Sequence, residues 1–560
     1  MRPSSIPRES PISAPTTSSS ILVLVSAAIF TAYFVGFYSQ TLEDAHITAR
    51  YALRLWEGYP YGTWNRDLNY LVEGSTSTVW PYLMALARSK EALLDVAKVA
   101  AAGSYLCVLL VMWRASINGP LSSLLISKRS PLLAVIACGV YLPFGWYAAS
   151  GMETVFFASL VALVAFLPLT RFDARTLHLT LCCLLCLTRP EGMLIAIGIS
   201  GFCALFDSRR VWVFGGVLLF TVLISFARYR YFGYWLPNTV YSKSGEGLLY
   251  VGFGFSYVKT YLAAHFIFIL VIGAAFLNWK KLTALHVAIA SGLAVFTVLL
   301  VKAGGDNPFA FPFWRHFVHL LPLIAFLLFE CLATLRWRVE LLNIALLVTL
   351  FAAPYFFRPD GHGSGDLIRK EFLSRAPSPV AVWISFLEKI TDEQTVIASE
   401  WAGQIPFYVD AVHIDTVGLN DVHIAHFGKF DPGGPIDTKS DMAYVFGRRP
   451  DVLVATFSAS HYSTGKFDTL TSFKWRGQLV RTTLCDPRFK DYIFVENGPY
   501  RGFDRAFFLS SSFVENSTKL DGYDLRPVRT NAPLMTFLAG YCRTAGPIET
   551  NQTKKRQGSG

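Results

Sequence analysis

The chain has 560 residues, of which 53% are hydrophobic and only 16% are charged, and its mean hydropathy is +0.40. Soluble domains average about 25% charged residues, so this composition excludes a string of soluble domains and predicts a polytopic α-helical membrane protein. The formal net charge is +11, but most of the basic excess lies in short loops between apolar segments, a pattern that orients membrane proteins and does not indicate a nucleic-acid partner.

Apolar segments of about the 17–25 residues that a span requires recur through the first 357 residues. A Ser/Pro-rich tail at 1–20, predicted to be cytoplasmic, precedes the first span, which we expect to stay as an uncleaved anchor. The stretch 177–206 is interrupted by charged residues and is either one broken span or two short spans. The other candidates are 21–40, 92–113, 131–149, 152–169, 211–226, 257–277, 283–302, 316–335 and 340–357.

Loop charges separate the two interpretations of 177–206. Two short spans, with a cytoplasmic N-terminus, place every basic loop cluster on the cytoplasmic side, whereas a single span would move the later clusters outside. We therefore predict about eleven spans in a transmembrane domain at 21–357, with the C-terminus outside. Most acidic loop residues then fall on the outer face, which indicates an outer pocket lined with carboxylates.

After residue 358 the apolar segments stop, and the composition becomes that of a soluble domain. Short β-branched runs and a helical stretch near 378–390 predict an extracytoplasmic α/β domain at 358–550, followed by a polar tail at 551–560. Its aromatic residues Trp401, Tyr408 and Trp475 could contact a glycan, although sparse aromatics more often belong to a core.

The nine cysteines fall into two groups. Cys485 and Cys542 are the pair in the predicted soluble domain; they could form a disulfide in an oxidising compartment or remain free. The other seven lie in apolar segments, where a cysteine is most simply a small buried hydrophobe. The cluster at 182–186 lacks a polar surrounding and does not predict a metal site.

Several loop motifs carry candidate chemistry. Glu43 and Asp44 precede a helical pattern at the mouth of the first span, which is either an interfacial helix serving a site or simply a capped helix. Arg189 and Glu191 bracket Pro190 and form either a functional pair or a buried structural pair. The segment 228–243 interleaves aromatics with Arg and Lys, as an anionic lipid headgroup or a plain aromatic belt would require.

Taken in order, these motifs resemble a family of integral-membrane glycosyltransferases of the C-type (GT-C) superfamily, typified by the mycobacterial terminal β-1,2 arabinofuranosyltransferase. The resemblance spans most of 40–425. It rests on Glu43-Asp44-Ala45, Arg50-Tyr51, Glu73-Gly74-Ser75-Thr76-Ser77 with Trp80, Ser150-Gly151-Met152-Glu153-Thr154, Thr188-Arg189-Pro190-Glu191-Gly192, Leu236-Pro237-Asn238-Thr239, Gly304-Gly305-Asp306, Ala402-Gly403-Gln404-Ile405-Pro406 and the run Ile414 to Asp421.

The resemblance implies a bacterial inner-membrane enzyme whose active site faces the cell exterior. Its donor would be a polyprenyl-phosphate-linked sugar, typically decaprenyl-phosphoryl arabinofuranose, and its other partners a glycan acceptor and membrane lipid. Asp44 matches the residue usually assigned as the catalytic base, with Glu43 as second choice. The donor phosphate would contact Arg189, Arg230, Lys243 and Arg315. Sugar or acceptor contacts would come from His46, Glu73, Glu191, Asn238, Asp306 and His316.

No dedicated metal-binding motif is present, although Glu43 and Asp44 together could hold a divalent cation. His46 and Asn307 depart from the residues expected at their positions, so the sugar stays open between arabinofuranose, a hexose such as mannose and an aminoarabinose-type sugar. A lipid or sugar transporter and a non-catalytic scaffold remain the alternatives from other classes. Against a transporter, the spans show no internal repeat.

Overall fold

The structure is a computed structural model. It describes residues 17–171, 174–243, 248–276, 278–306, 313–334, 339–356, 379–430, 439–454, 477–495 and 506–544. Asn307, Trp475 and the predicted polar tail 551–560 lie outside these residues, as do residues 1–16 of the predicted N-terminal tail.

The first two thirds of the chain are helical. The helices are α1 (Thr17–Gly36), α2 (Glu43–Trp56), α3 (Val79–Met84), α4 (Ala92–Arg114), α5 (Ser130–Val140), α6 (Leu142–Ala149), α7 (Thr154–Phe166), α8 (Arg175–Thr188), α9 (Pro190–Phe206), α10 (Val211–Phe232), α11 (Asn238–Lys243), α12 (Leu248–Ala264), α13 (Phe266–Phe276), α14 (Ala284–Lys302), α15 (Arg315–His319), α16 (Leu321–Ala333) and α17 (Val339–Phe356).

Helices lie at every position predicted for a span, but the prediction of eleven spans is wrong by the criteria of length and composition. Within the described residues, four helices qualify: Thr17–Gly36, Ala92–Arg114, Ser208–Phe232 and Ala284–Lys302. A fifth span results if α5 and α6, bent by 66°, count as one. The physical reason is that several predicted spans contain apolar helices of only 10–17 residues, such as Thr154–Leu169 and Leu321–Ala333. The long apolar helices are those of a membrane protein; the structure contains no membrane.

The predicted break in 177–206 occurs at Arg189. Its extended backbone (φ −156°, ψ 151°) separates α8, of 14 residues, from α9, of 17 residues. The two helices pack against each other. Pro190 occupies the first turn of α9, where its missing N–H costs nothing. The interpretation of this stretch as two short helices therefore agrees with the structure.

The C-terminal part of the chain forms the predicted α/β domain. Its six-stranded sheet has the order β2-β1-β5-β7-β6-β8, in which β2, β1 and β5 are parallel and the other neighbours antiparallel. The strands are β1 (Val396–Ser399), β2 (Val412–Asp415), β3 (Lys429–Phe430), β4 (Lys439–Ser440), β5 (Val452–Val454), β6 (Tyr492–Val495), β7 (Phe507–Ser510) and β8 (Leu525–Pro527). The helices are α18 (Pro379–Ile390), α19 (Gln404–Tyr408), α20 (Val422–Phe427), α21 (Met442–Gly447), α22 (Gly477–Cys485), α23 (Ser511–Asn516) and α24 (Ala532–Thr544).

Two apolar clusters cover the two faces of this sheet. Trp401 belongs to one of them, since its ring packs edge-on against Trp383 with centroids 5.6 Å apart. A disulfide joins Cys485 on α22 to Cys542 on α24. The cysteine pair left open by the sequence is therefore bonded in the structure.

The sheet docks onto the helical part through the carboxyl ends of its parallel strands. The segments that follow β1 and β2 pack on α2 and on the loop after it, where a small apolar cluster includes Ile47, Tyr51, Ala402 and Leu419. Phe407 on α19 reaches further and joins the core of the helical part. Carboxyl ends of parallel strands commonly carry ligand sites in α/β sheets; here they form a docking surface for the helix that begins with Glu43 and Asp44.

Candidate functional site

Asp44, in the first turn of α2, faces two cations from distant parts of the chain. Its Oδ2 atom lies 3.7 Å from Nζ of Lys243 and 3.8 Å from Nη1 of Arg315. The Asp44 and Lys243 side chains are 22% and 24% exposed, whereas Arg315 is buried. One carboxylate thus meets two cations where solvent still has access, which suits proton exchange beside a bound anion.

A tight turn brings Asp306 to the same arginine, Arg315. Arg315 donates from Nε and Nη2 to the two Asp306 oxygens at 3.0 and 3.4 Å, and His316 Nε2 lies 3.6 Å from Asp306 Oδ2. Gly304 and Gly305 both have φ near +80°, and a Cβ on either would collide with a tyrosine ring. Only glycine fits both positions, so this turn fixes Asp306 beside Arg315.

The backbone before Arg315 is strained. Trp314 has a left-handed conformation (φ 50°), which is unusual for a bulky residue. The side chain is fully buried, and its Nε1 donates to Oγ1 of Thr260 at 3.1 Å. Such strain persists where surrounding packing holds it, commonly at functional sites. Here it sets the direction in which the next residue, Arg315, projects.

Arg189, at the break between α8 and α9, extends the network. It donates from Nε to Glu191 Oε1 at 2.6 Å and from Nη1 to Glu153. Glu191 Oε1 in turn lies 3.4 Å from Nδ1 of His319. Three residues with ordinary metal-ligand chemistry meet here, since the ligand atoms of Glu191, His316 and His319 all lie within 4.8 Å of one another.

We call this contiguous set the charged cluster. It joins α2, the α8–α9 break, α11 and α15 at the edge of the apolar core. Its members are Asp44, Glu153, Arg189, Glu191, Lys243, Asp306, Arg315, His316 and His319.

Glu43 points to a different place from Asp44. Its Oε1 accepts hydrogen bonds from the backbone N–H groups of Gly403 at 2.7 Å and Gln404 at 3.0 Å, in the soluble domain. Burial raises the pKa of Glu43 to about 7. A Cβ on Gly403 would collide with the Glu43 backbone carbonyl, so the approach needs glycine. Glu43 therefore anchors the soluble domain and does not share the partners of Asp44. The sequence suggested that these two carboxylates could hold a cation together, but their side chains point to different partners.

Two further side chains of α2 strengthen this anchor. Arg50 donates to the backbone carbonyls of Pro406 and Trp64, and its guanidinium lies 5.0 Å from the centroid of the Trp64 ring. The Tyr51 hydroxyl donates to Oδ1 of Asn420 at 3.0 Å and accepts from the N–H of Gly74. The motif residues of the soluble domain thus form a docking surface rather than a second reactive centre.

Three of the predicted sugar contacts are occupied by structural partners. His46 is buried against Phe407, and its Nδ1 lies 2.9 Å from the Leu42 carbonyl; burial lowers its pKa to about 4. Asn238 donates from Nδ2 to the carbonyls of Gly418 and Leu419. Glu73 accepts hydrogen bonds from Arg228 at 2.6 and 3.3 Å.

The predicted phosphate contact Arg230 is exposed in the last turn of α10. It is not a member of the charged cluster. The buried arginine of this turn is Arg228, which pairs with Glu73. The sequence does not distinguish the two, because both lie in the same aromatic run. His319 was not predicted at all. Its spacing of three from His316, which places both on one helical face, was the available signal.

Comparison with known proteins adds one match. Residues 371–502 match a family model described as a domain of unknown function (DUF8728), which overlaps the soluble domain. No curated protein and no solved structure matches the chain. The match marks a recognised unit within the soluble domain and carries no activity with it.

Proposed function

We propose that the protein is a membrane glycosyltransferase of the GT-C type. It transfers a sugar, arabinofuranose in our proposal, from a polyprenyl-phosphate donor to a cell-envelope glycan on the outer face of a bacterial inner membrane. The observation that carries the proposal is the placement of Asp44 against Lys243 and Arg315.

The chemistry needs a base and a site for the leaving phosphate. An acceptor hydroxyl oxygen attacks the anomeric carbon of the sugar, and the bond from that carbon to the phosphate oxygen breaks, so that the phosphate leaves with the electron pair. Asp44 takes the hydroxyl proton. Lys243 and Arg315 stabilise the negative charge that develops on the leaving phosphate. As that charge develops, the two cations interact less with the Asp44 carboxylate.

An apolar groove, some of whose lining residues neighbour the charged cluster in sequence, fits the lipid part of the donor. It has a volume of about 440 Å³ and lies between α9, α14 and α16. At one end Leu320 follows His319, and Leu194 lies one turn beyond Glu191. Along α14 it extends from Leu285 to Leu299, about 21 Å at 1.5 Å per residue. A phosphate at the cluster would therefore place its prenyl chain against hydrocarbon-like surface.

Two observations support an outer-face location. The disulfide between Cys485 and Cys542 belongs to an oxidising compartment, whereas the free cysteines among the described residues lie in the helical part. The soluble domain also packs on α2, so the two lie on the same side of the membrane. The soluble domain and the loop helix α2 would then share the outer side with the charged cluster.

A transfer assay on the purified full-length protein in detergent tests the proposal. Decaprenyl-phosphoryl arabinofuranose with radiolabelled sugar is the donor, and a short arabinan is the acceptor. We expect transfer by the wild type and a loss of about 100-fold or more in Asp44→Asn. Asp67→Asn, an exposed carboxylate of the same loop, is the matched control and should keep full activity.

The outcomes separate the alternatives. Equal transfer by Asp44→Asn would refute the assignment of the base. Transfer from a polyprenyl-phosphomannose donor alone would replace the pentofuranose by a hexose and keep the enzyme class. Failure with every lipid-linked donor, combined with uptake of labelled substrate into vesicles, would establish a transporter instead.

A further inference from the structure

Glu191, His316 and His319 form a compact group of ligand-type side chains that the chemistry proposed above does not use. We propose that these three residues bind a divalent transition-metal ion, with Zn²⁺ as the simplest occupant. Two imidazoles and one carboxylate are an ordinary three-ligand set for catalytic zinc, which keeps a fourth position open for water or substrate.

The geometry of the group matches such a site. The ligand atoms lie within 4.8 Å of one another, and the distance from Glu191 Oε1 to His319 Nδ1 is 3.4 Å. Two ligands of a tetrahedral ion with bonds of about 2.0–2.1 Å are separated by about 3.3 Å. The same oxygen, Glu191 Oε1, accepts a hydrogen bond from Arg189 Nε at 2.6 Å, and an outer hydrogen bond of this kind commonly orients a ligating carboxylate.

His319 supplies a second, independent observation. Its side chain is 0% exposed, its Nδ1 lies 3.4 Å from Glu191 Oε1, and its Nε2 makes no hydrogen bond among the described residues. Buried polar atoms in folded proteins are nearly always paired, so a buried imidazole with one unpaired nitrogen indicates a missing partner. The nitrogen that faces Glu191 is placed where a shared cation would satisfy both groups.

The summed formal charge of the charged cluster is negative. In the charged cluster, Arg189, Lys243 and Arg315 oppose the carboxylates of Asp44, Glu153, Glu191 and Asp306. With neutral imidazoles this leaves one net negative charge, which a phosphate group would increase. A divalent ion reverses the sign and makes the cluster attractive to an anion.

The role of the ion rests on the proposed function. His316 also lies 3.6 Å from Asp306, the partner of Arg315, so the ion would adjoin the donor phosphate and a phosphate oxygen could take its fourth position. There the ion would act as a Lewis acid on the leaving group, together with Lys243 and Arg315. The metal site itself does not depend on that role and is tested without any donor.

The first test measures metal binding. Purified full-length protein is stripped with a chelator, loaded with Zn²⁺ or Co²⁺, and freed of excess ion by gel filtration; metal content and the visible Co²⁺ spectrum are then recorded. We expect about one ion per chain and a tetrahedral Co²⁺ spectrum. His316→Asn and His319→Asn should weaken binding at least tenfold. His286→Asn is the matched control, because it removes a buried histidine that contacts only one carboxylate, Glu330.

Substoichiometric metal in the wild type, or unchanged binding in both His316→Asn and His319→Asn, would overturn the proposal. Elution volume and thermal midpoint confirm that each variant is folded, and Glu191→Gln provides a third variant of nearly equal size. Transfer by metal-free protein at the wild-type rate would refute the catalytic role while leaving the glycosyltransferase proposal intact. Metal binding without any transfer would leave the metal site intact and count against the glycosyltransferase proposal.

Discussion

The pH dependence of the anchor at Glu43 can be worked out from its surroundings. In the folded protein the pKa of Glu43 rises from an ordinary 4.5 to about 7, chiefly because the carboxyl group is buried. The folded state therefore keeps a proton that the unfolded state has lost between these pH values, and its stability falls as the pH rises through this window. At 1.36 kcal/mol per unit, the shift corresponds to on the order of 3 kcal/mol.

Glu43→Gln tests this directly. The amide keeps an oxygen for the N–H groups of Gly403 and Gln404 but cannot ionise. Thermal unfolding in detergent should give matching midpoints near pH 5 and a variant more stable than the wild type by several degrees at pH 8. His46 and Asp415 also have shifted pKa values but titrate in both proteins, so the difference between the midpoints isolates Glu43.

The control is Glu388→Gln, which removes an exposed carboxylate from α18 of the same domain. Its midpoint should stay parallel to that of the wild type from pH 5 to pH 8. An equal pH slope in the wild type and in Glu43→Gln would refute the reasoning, because the buried carboxyl group would then titrate as an ordinary one.

Two further predictions concern stability. Arg228→Gln leaves the Glu73 carboxylate buried without its cation and should cost about 3–5 kcal/mol; adding Glu73→Gln should restore much of the thermal midpoint, and no recovery would contradict the pairing. Replacing Cys485 and Cys542 by serine opens a loop with a sequence separation of 57 and should cost the soluble domain about 4 kcal/mol in chain entropy, measured by urea unfolding; an unchanged midpoint would contradict it.

The sequence predicted the positions of the apolar helices better than the number of membrane spans. Apolar composition marks each helix, since burial in lipid or in a helix core demands the same residues. It does not report where the chain bends. The break between α5 and α6 falls at Tyr141, immediately before Leu142-Pro143, and no charge marks it. The break at Arg189 was predicted because charged residues stand there.

In the candidate site, too, the sequence predicted the residues but not their partners. Glu43 and Asp44 were predicted together, but adjacent helical residues project about 100° apart. Their partners, Gly403 and Arg315, lie hundreds of residues away in the chain, so only tertiary structure separates the anchor from the candidate base. His319 is similar: nothing local distinguishes it from an apolar-face histidine until Glu191 is placed beside it.

The docking of the soluble domain has a consequence for truncation experiments. A chain shortened before residue 379 would remove the N–H groups of Gly403 and Gln404 that bind Glu43, the residue next to Asp44. It would also remove the Pro406 carbonyl that Arg50, about two helical turns further along α2, contacts. Lost activity in such a chain would therefore indicate that α2 is displaced, and would not show that the soluble domain binds the glycan acceptor. Point substitutions on the far, solvent-facing side of the sheet domain keep the anchor intact and are the instructive way to map acceptor binding.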